Sequence, residues 1–290
     1  MFQGTIVALV TPFQKGKIDE ASLQNLVLWH SEQGTQGLVV AGSTGEGNLL
    51  SQQERNQITS IVKEAANKRF PVIVSCGSPS TEEAVHMAYE AKRLGADAIL
   101  ATTPFYVKPS QQGLYQHFFE INKSVDIPMI VYSNPGRAVV EISVDLLLKL
   151  SELENVVGLK DSTSDMSRPA LMRSRLKKEI SLLCGDDPFT AAYLAQGGDG
   201  TISAAGNVVP ALCRKQVDFW KNGDLAEFNK LTYQLSELYA ALFLETNPCP
   251  IKYALSAMGK IQNELRLPLL PVSENTEEKL NKALKGLGAI

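Results

Sequence analysis

Short apolar runs recur at intervals through most of the chain and alternate with longer amphipathic stretches. There are eight such runs, each rich in β-branched residues and each followed by glycine, proline, serine or threonine. Apolar runs of this length, bounded by turn-forming residues, are typical of parallel strands that are buried on both faces. We therefore predict strands at residues 5–10, 37–41, 72–76, 98–101, 129–132, 156–160, 181–184 and 200–203.

The stretches between these runs carry the sequence signals of helix ends. Residues 51–54 (S-Q-Q-E) and 80–83 (S-T-E-E) match the capping box, in which a serine and a glutamate three positions later each bind the other's backbone amide. Asp187 before Pro188 predicts a further helix start, with the aspartate as N-cap. Gly34 and Gly95 follow helical stretches and predict helix C-termini.

Eight consecutive strand–helix units predict an α/β fold, a (β/α)8 TIM barrel. A doubly wound open sheet is the alternative, but it usually has fewer strands and an early dinucleotide fingerprint, which this sequence lacks. Strand signals stop at about residue 224, and helices are predicted at 225–244, 250–258 and 276–287. We therefore expect a barrel domain at 1–224, with its active site at the C-terminal face, and a C-terminal helical domain at 225–290.

The composition narrows the functional class. Of 290 residues, 44% are hydrophobic, and 28 Lys+Arg against 31 Asp+Glu leave a net charge of -3, with no block of like charge. This balance favours neither a nucleic-acid partner nor a membrane partner. The four cysteines form no C-x-x-C pair, and the N-terminus has no signal-peptide pattern. Both features predict a cytoplasmic protein with reduced thiols.

In a parallel barrel the functional residues lie where strands end. The candidates at these positions are the loop 42–47 (G-S-T-G-E-G), Tyr132 with residues 133–137 (S-N-P-G-R) behind it, Lys160, residues 185–187 (G-D-D) and residues 203–207 (S-A-A-G-N). The loop 42–47 has two interpretations. It is either a tight turn that leads into the helix capped at Ser51, or an anion-binding nest in which amides and hydroxyls hold a small carboxylate.

Lys160 ends the sixth apolar run, where an unpaired ammonium would be costly to bury. Taken alone, the run favours a lysine that emerges into solvent at the strand end. Tyr132 ends the preceding run, however, and neighbouring strands lie about 4.8 Å apart. An amine beside a phenol in one pocket can attack a carbonyl while the phenol transfers protons. Together the two residues favour a nucleophilic lysine.

Other groups offer weaker chemistry. His30, His86 and His117 all lie in predicted helices, far apart and without metal-ligand spacing, so we interpret them as packing or surface residues. Asp186 and Asp187 have the carboxylates of a magnesium site, but Asp187 is better explained as a helix cap.

Three motifs resemble the dihydrodipicolinate synthase / N-acetylneuraminate lyase family of (β/α)8 enzymes. Residues 42–46 are similar to the family's G-T/S-T-G-E loop, 132–137 (Y-S-N-P-G-R) to its Y-N-x-P-x-R stretch, and 158–161 (G-L-K-D) to its lysine motif G-x-K-D/E. Residues 103–109 (T-P-F-Y-V-K-P), Arg137 and 243–252 (F-L-E-T-N-P-C-P-I-K) resemble the synthase branch in particular. The resemblance extends from Thr5 to about Pro271.

The resemblance implies that Lys160 forms an imine with pyruvate. The derived enamine would attack the aldehyde of L-aspartate 4-semialdehyde to give 4-hydroxy-tetrahydrodipicolinate, a step of lysine and diaminopimelate biosynthesis. It implies no cofactor and no metal ion, and a homotetramer built as a dimer of dimers. The implied roles of the other residues are a proton relay by Tyr132, Ser43 and Tyr106 of a neighbouring subunit, binding of pyruvate's carboxylate by Ser43 and Thr44, binding of the second carboxylate by Arg137, and backbone contacts by Gly185 and Ile202.

Two positions depart from the synthase pattern. Ser43 stands where synthases usually have threonine, and residues 161–162 (D-S) replace a common Glu-Ala pair after the lysine. Because K-D-S also occurs in sugar-acid aldolases of the family, an aldolase acting on a 2-keto-3-deoxy sugar acid or on N-acetylneuraminate through the same imine is the alternative. A keto-acid sensor without turnover is a third hypothesis, which the intact Lys160 and Tyr132 disfavour.

Overall fold

The computed structural model describes residues 2–290, and in it eight parallel strands close into a barrel. The predicted α/β barrel with helices after it is confirmed. The barrel strands are β1 (Gly4–Ala8), β4 (Leu38–Val40), β5 (Val72–Ser75), β6 (Ala98–Thr102), β7 (Met129–Ser133), β8 (Val156–Asp161), β9 (Ser181–Cys184) and β10 (Gly200–Ser203). Their order around the barrel is β1-β10-β9-β8-β7-β6-β5-β4.

All eight predicted strands are present, with ends that differ by at most two residues. Nearly every residue in them is buried, which explains why they appear in the sequence as continuous apolar runs without alternation. A short antiparallel hairpin, β2 (Phe13–Gln14) and β3 (Lys17–Ile18), was not predicted. Strands of two residues are too short to leave a periodic signal.

The helices follow the strands. They are α1 (Glu20–Glu32), α2 (Gln52–Ala66), α3 (Thr81–Arg93), α4 (Gln111–Ser124), α5 (Pro135–Ala138), α6 (Val144–Ser151), α7 (Arg168–Arg175), α8 (Thr190–Ala195), α9 (Pro210–Lys221), α10 (Leu225–Leu242), α11 (Cys249–Ala257) and α12 (Glu274–Gly286). Short 3-10 turns occupy Gly47–Leu49, Asp187–Phe189 and Ala205–Asn207. Among residues 2–290, no helix combines the length and the apolar character that crossing a membrane requires.

The predicted helix signals were right at four of five positions. Ser51 and Glu54 form both halves of a capping box. At the start of α3 only one half is present: the Ser80 hydroxyl accepts the Glu83 amide at 3.3 Å, while the Ser80 amide donates to the Ser78 hydroxyl. Gly34 and Gly95 follow α1 and α3 with φ of 75° and 78°. Asp187 is not an N-cap, so that prediction was wrong. It is itself the first residue of a 3-10 turn, in which Asp186 occupies the N-cap position without a side-chain capping bond, and the Asp187 side chain is buried.

The chain forms two compact units. The first comprises the segment up to Gly4 together with Pro71–Ile202, and in it β5 to β10 pair in parallel, each with the next. The second comprises Thr5–Phe70 and Ser203–Ile290. It pairs β1 with β4 and packs α10 against α9, α11 and α12. The domain boundary at 224/225 stays a prediction.

A fully buried ion pair lies inside the second unit. The Lys252 ammonium, on α11, donates to the Glu46 carboxylate at 2.6 Å, and both side chains are 0% exposed. The Arg266 amide donates to the second Glu46 oxygen at 2.9 Å. The Lys252 nitrogen also lies 4.2 Å from the centre of the Phe13 ring. Desolvation lowers the pKa of Lys252, and the neighbouring Glu46 opposes that shift.

Replacing one member of this pair should destabilise the protein strongly. Lys252→Met leaves the Glu46 carboxylate buried without its cation, for which we expect a loss of about 3–5 kcal/mol in the free energy of unfolding. Urea denaturation followed by circular dichroism measures it. The control is Lys230→Ala, which breaks an exposed pair with Glu227 and should change stability by less than about 0.5 kcal/mol. Equal effects of the two variants would contradict the prediction.

Candidate active site

Lys160 lies at the next-to-last position of β8 and is only 7% exposed. The interpretation in which Lys160 emerges into solvent at the strand end is therefore wrong. Its neighbours are fixed by strand pairing, since Lys160 is in register with Tyr132 on β7 and with Leu183 on β9. The predicted proximity of amine and phenol is therefore built into the sheet.

An irregularity in the β7–β8 ladder produces this register. Met129 pairs with Val156, but the next residue, Ile130, pairs with Gly158. β8 thus carries one extra residue at this point, as in a β-bulge. Without it, the pairing that starts at Met129 would place Leu159 opposite Tyr132.

The amine lies over the face of the tyrosine ring. The Lys160 nitrogen is 4.3 Å from the centre of the Tyr132 ring, a distance typical of a cation–π contact. The predicted meeting of amine and phenol in one pocket is realised through the face of the ring. The ring face receives the amine, which leaves the hydroxyl to other partners.

Two side chains hold the Tyr132 hydroxyl. Asn134 donates its side-chain amide to the phenol oxygen at 2.7 Å. The side-chain oxygen of Asn134 accepts a hydrogen bond from the Arg137 backbone N–H at 3.2 Å, so Asn134 is also the N-cap of α5. The Ser162 hydroxyl oxygen lies 3.4 Å from the phenol oxygen. The sequence assigned no functional role to either residue.

Gly185 leaves the space that this arrangement needs. Its amide donates to the Asp161 carbonyl at 2.8 Å. A Cβ atom on Gly185 would lie 2.1 Å from the Ser162 hydroxyl oxygen and 3.1 Å from Cε of Lys160. Since real Cβ atoms do not come within 3.0 Å of other heavy atoms, any side chain here would displace Ser162. The absence of a side chain at Gly185 therefore lets the Ser162 hydroxyl stay beside Tyr132.

Asp161 stabilises the end of β8 through a buried ion pair. Its carboxylate accepts the Arg168 guanidinium at 3.3 Å and the Thr163 amide at 3.0 Å. Arg168 also donates to the Ile142 carbonyl at 2.6 Å. With both charged side chains almost fully buried, this pair ties β8 to the loop that precedes α6.

The loop 42–47 belongs to the second unit and is a tight turn. The Gly47 amide donates to the Gly42 carbonyl at 2.8 Å, and a Cβ on Gly47 would lie 1.9 Å from the Ala41 carbonyl oxygen. The buried Thr44 hydroxyl accepts the Asn247 side-chain amide at 2.9 Å. Ser43 is exposed. The turn interpretation is thus realised, and anion binding by the loop stays a prediction.

The remaining predicted site residues are dispersed over several elements. Arg137 is exposed on α5, whereas Ile202 on β10 is fully buried. Tyr106 is 88% exposed, with φ of 72° in the left-handed region. That combination is unusual for a large aromatic residue in a folded chain.

The histidines and cysteines behave as packing residues. Burial lowers the pKa of His30 to about 3 and that of His117 to about 4, and each bonds a threonine hydroxyl at 2.9 Å. His86 is exposed. All four cysteines are free and buried. In the part of the chain that the structure describes, His, Cys, Asp and Glu form no group suited to a metal ion.

A closed barrel of eight parallel strands, with a buried lysine beside a tyrosine at the ends of two of them, is the architecture of a (β/α)8-barrel enzyme. The model of the dihydrodipicolinate synthetase family matches residues 1–287. The chain belongs to this family, and the resemblance inferred from its motifs is confirmed.

Named relatives agree over the whole length. The 4-hydroxy-tetrahydrodipicolinate synthase of Rhodospirillum centenum is 44% identical over 290 residues, covering 100% of both chains. The crystal structure of dihydrodipicolinate synthase from Aquifex aeolicus is 42% identical, with a TM-score of 0.97 over 99% of both chains. That of the Acinetobacter baumannii enzyme, described as chloride-inhibited and complexed with pyruvate, is 41% identical, with a TM-score of 0.97 over 100% of both.

Proposed function

We propose that this chain is a lyase that condenses pyruvate with L-aspartate 4-semialdehyde to give 4-hydroxy-tetrahydrodipicolinate, in lysine and diaminopimelate biosynthesis. The observation that carries the proposal is the buried Lys160 amine, 4.3 Å from the centre of the Tyr132 ring. This amine occurs in a chain that is 44% identical to a 4-hydroxy-tetrahydrodipicolinate synthase. The alternative, a sugar-acid or N-acetylneuraminate aldolase, is not favoured, since the relatives named above are synthases.

The chemistry follows from a neutral amine at Lys160. Its lone pair attacks the keto carbon of pyruvate, and the tetrahedral adduct loses water to form an imine. Loss of a proton from the methyl group then gives an enamine, whose carbon attacks the aldehyde carbon of the second substrate. Cyclisation through the second substrate's amino group releases the lysine. Since the protonated imine itself accepts the electrons, the proposal needs no cofactor.

Protons must move at each of these steps, and Tyr132 is paired with Lys160 on the neighbouring strand, with its ring centre 4.3 Å from the amine. We assign it the proton transfers, with Ser43 and Tyr106 completing the relay. The carboxylate of pyruvate is assigned to Ser43 and Thr44. Support for Thr44 is its hydroxyl, which Asn247 holds at 2.9 Å.

The second substrate is assigned to Arg137, whose planar guanidinium can bind a carboxylate through two parallel hydrogen bonds. Its position on α5, directly after β7, supports the assignment, because Asn134 caps that helix and also contacts Tyr132. Backbone contacts near the imine are assigned to Gly185 and Ile202.

Borohydride reduction tests the imine directly. With pyruvate present, reduction should add one pyruvate-derived group to Lys160, located by peptide mass spectrometry, and to no other lysine. Lys160→Arg should give no adduct. The buried Lys252 serves as an internal control, because it is held in an ion pair. An unmodified Lys160 in the wild-type protein would rule out the mechanism.

Arg137→Ala should weaken the second substrate selectively. Loss of a charge-assisted hydrogen-bonded pair removes about 1.5–3 kcal/mol, which predicts a KM for L-aspartate 4-semialdehyde raised about 10- to 100-fold. The KM for pyruvate should change little. Steady-state kinetics in a coupled assay measure both values, and a 2-keto-3-deoxy sugar acid offered as substrate should not be cleaved. A larger change in the pyruvate KM would contradict the assignment.

We also propose a homotetramer, built as a dimer of dimers, in the cytoplasm. Tyr106 supports the assembly, since an 88% exposed tyrosine in left-handed backbone has few contacts within its own chain. A neighbouring subunit would cover the ring and receive its hydroxyl. The four free cysteines support a reducing compartment.

Subunit mixing tests the placement of Tyr106. Lys160→Ala and Tyr106→Phe should each be nearly inactive alone. If Tyr106 serves the neighbouring site, a mixed dimer contains one site with both residues intact, and random pairing should restore about a quarter of the activity. Analytical ultracentrifugation establishes that tetramers persist. The assignment is wrong if mixing restores no activity while mixed tetramers form.

A further inference from the structure

Three polar groups in the first unit form a line, and two of them, Ser162 and Asp186, have no role in the proposed function. The Ser162 hydroxyl oxygen lies 3.4 Å from the Tyr132 hydroxyl oxygen, and Ser162 is also hydrogen-bonded to the Asp186 carboxyl group. Ser162 is 8% exposed, and Asp186 lies just after β9. The line therefore leads from the phenol beside Lys160 to a carboxylate on the neighbouring strand end.

The direction of the hydrogen bonds in this line is determined by its two ends. An ionised carboxylate only accepts, so Ser162 donates its single hydroxyl proton to Asp186. The Ser162 oxygen is then free to accept from Tyr132. At the other end, Asn134 donates to the Tyr132 oxygen at 2.7 Å, and its carbonyl oxygen is committed to the Arg137 amide. The phenol proton thus points along the line towards Asp186.

The surroundings of Asp186 suit a group that gains and loses a proton. Desolvation raises the pKa of its carboxyl group, while Lys160 and the Ser162 hydrogen bond oppose the rise. The charged or titratable groups that interact electrostatically with Asp186 are Lys160, Asp161, Arg137 and Cys184. A phenol, by contrast, ionises about three pH units above neutrality. Transfer of a proton to the Asp186 carboxylate is therefore easier than formation of a phenolate at Tyr132.

We propose that Ser162 and Asp186 are positioning residues for Tyr132. They orient the phenol proton, and they accept that proton when Tyr132 takes another proton from the substrate. The proposal rests on the proposed function. It makes the Asp186 carboxylate the final acceptor of the proton that leaves the methyl group of the imine.

The transfer is balanced in charge and atoms. As the Tyr132 oxygen bonds the incoming proton, its own O–H bond breaks and that proton bonds the Ser162 oxygen. The former Ser162 proton bonds the Asp186 carboxylate, which becomes neutral. Both hydroxyls end as they began, and the reverse transfer returns the proton to the substrate. Gly185 makes the route possible, because a Cβ there would lie 2.1 Å from the Ser162 oxygen.

Ser162→Ala removes the central hydroxyl and no bulk beyond it. We expect kcat to fall about 10- to 100-fold, up to the lower limit of what a positioned acid–base group contributes, with the KM for pyruvate within about threefold. Ser162→Thr, which keeps the hydroxyl, should restore kcat. Ser174→Ala, at an exposed position of α7, removes a hydroxyl that donates to the Leu171 carbonyl, and it should behave as wild type.

The pH profile separates a proton route from a packing role. Asp186 accepts only as carboxylate, so the wild-type kcat should fall as the pH drops through its pKa. Ser162→Ala and Asp186→Asn should both lose this acid limb, whereas Ser162→Thr should keep it. Because the residues act in series, the double variant should be no slower than the slower single variant.

Pyruvate trapping keeps this test separate from that of the proposed function. Ser162→Ala should still give the borohydride adduct on Lys160, since the amine is intact. No adduct in the wild type would overturn the proposed function itself. An adduct combined with an unchanged kcat and acid limb in Ser162→Ala, or with fully additive losses in the double variant, would overturn the proton route alone.

Discussion

One extra residue in β8 is the constraint on which the first unit's chemistry depends. The register shift after Met129 places Lys160, and not Leu159, opposite Tyr132. Strand pairing then fixes amine and ring at a distance that no flexible loop could hold as closely. The same pairing carries Asp161 to the strand end, where its buried pair with Arg168 anchors β8. The irregularity in the β7–β8 pairing is therefore what places the amine beside the phenol.

The motifs that identify the family divide into structural and chemical parts. Glu46 ends the G-S-T-G-E motif and Lys252 ends the motif in the helical tail, yet both are fully buried and bind each other. Asn247, from the same tail motif, holds Thr44. The tail thus fixes the loop from two points within the second unit. Breaking a buried ion pair is far costlier than losing an exposed one, which gives these residues a structural reason to occur together.

The sequence predicted most of the fold because strands buried on both faces leave long apolar runs. It failed where a single local geometry decided the outcome. Asp187 matched an N-cap, but the chain starts a 3-10 turn there and buries the side chain. The strand ends predicted that Lys160 lies beside Tyr132, but not that the amine lies over the ring face. Ser162 was noted as a departure from the family pattern, and its contact with Tyr132 depends on a backbone path that no spacing encodes.

The hydroxyl contacts around Tyr132 have an electrostatic logic. The Lys160 amine must be neutral to attack and is charged as the imine forms, so charge appears and disappears within a largely buried site. Isolated charges in such surroundings are costly. A line of neutral hydroxyls that ends at Asp186 lets a proton leave without a phenolate forming beside the lysine. The carboxylate is neutralised just when the proton arrives, so the site never holds two new charges at once.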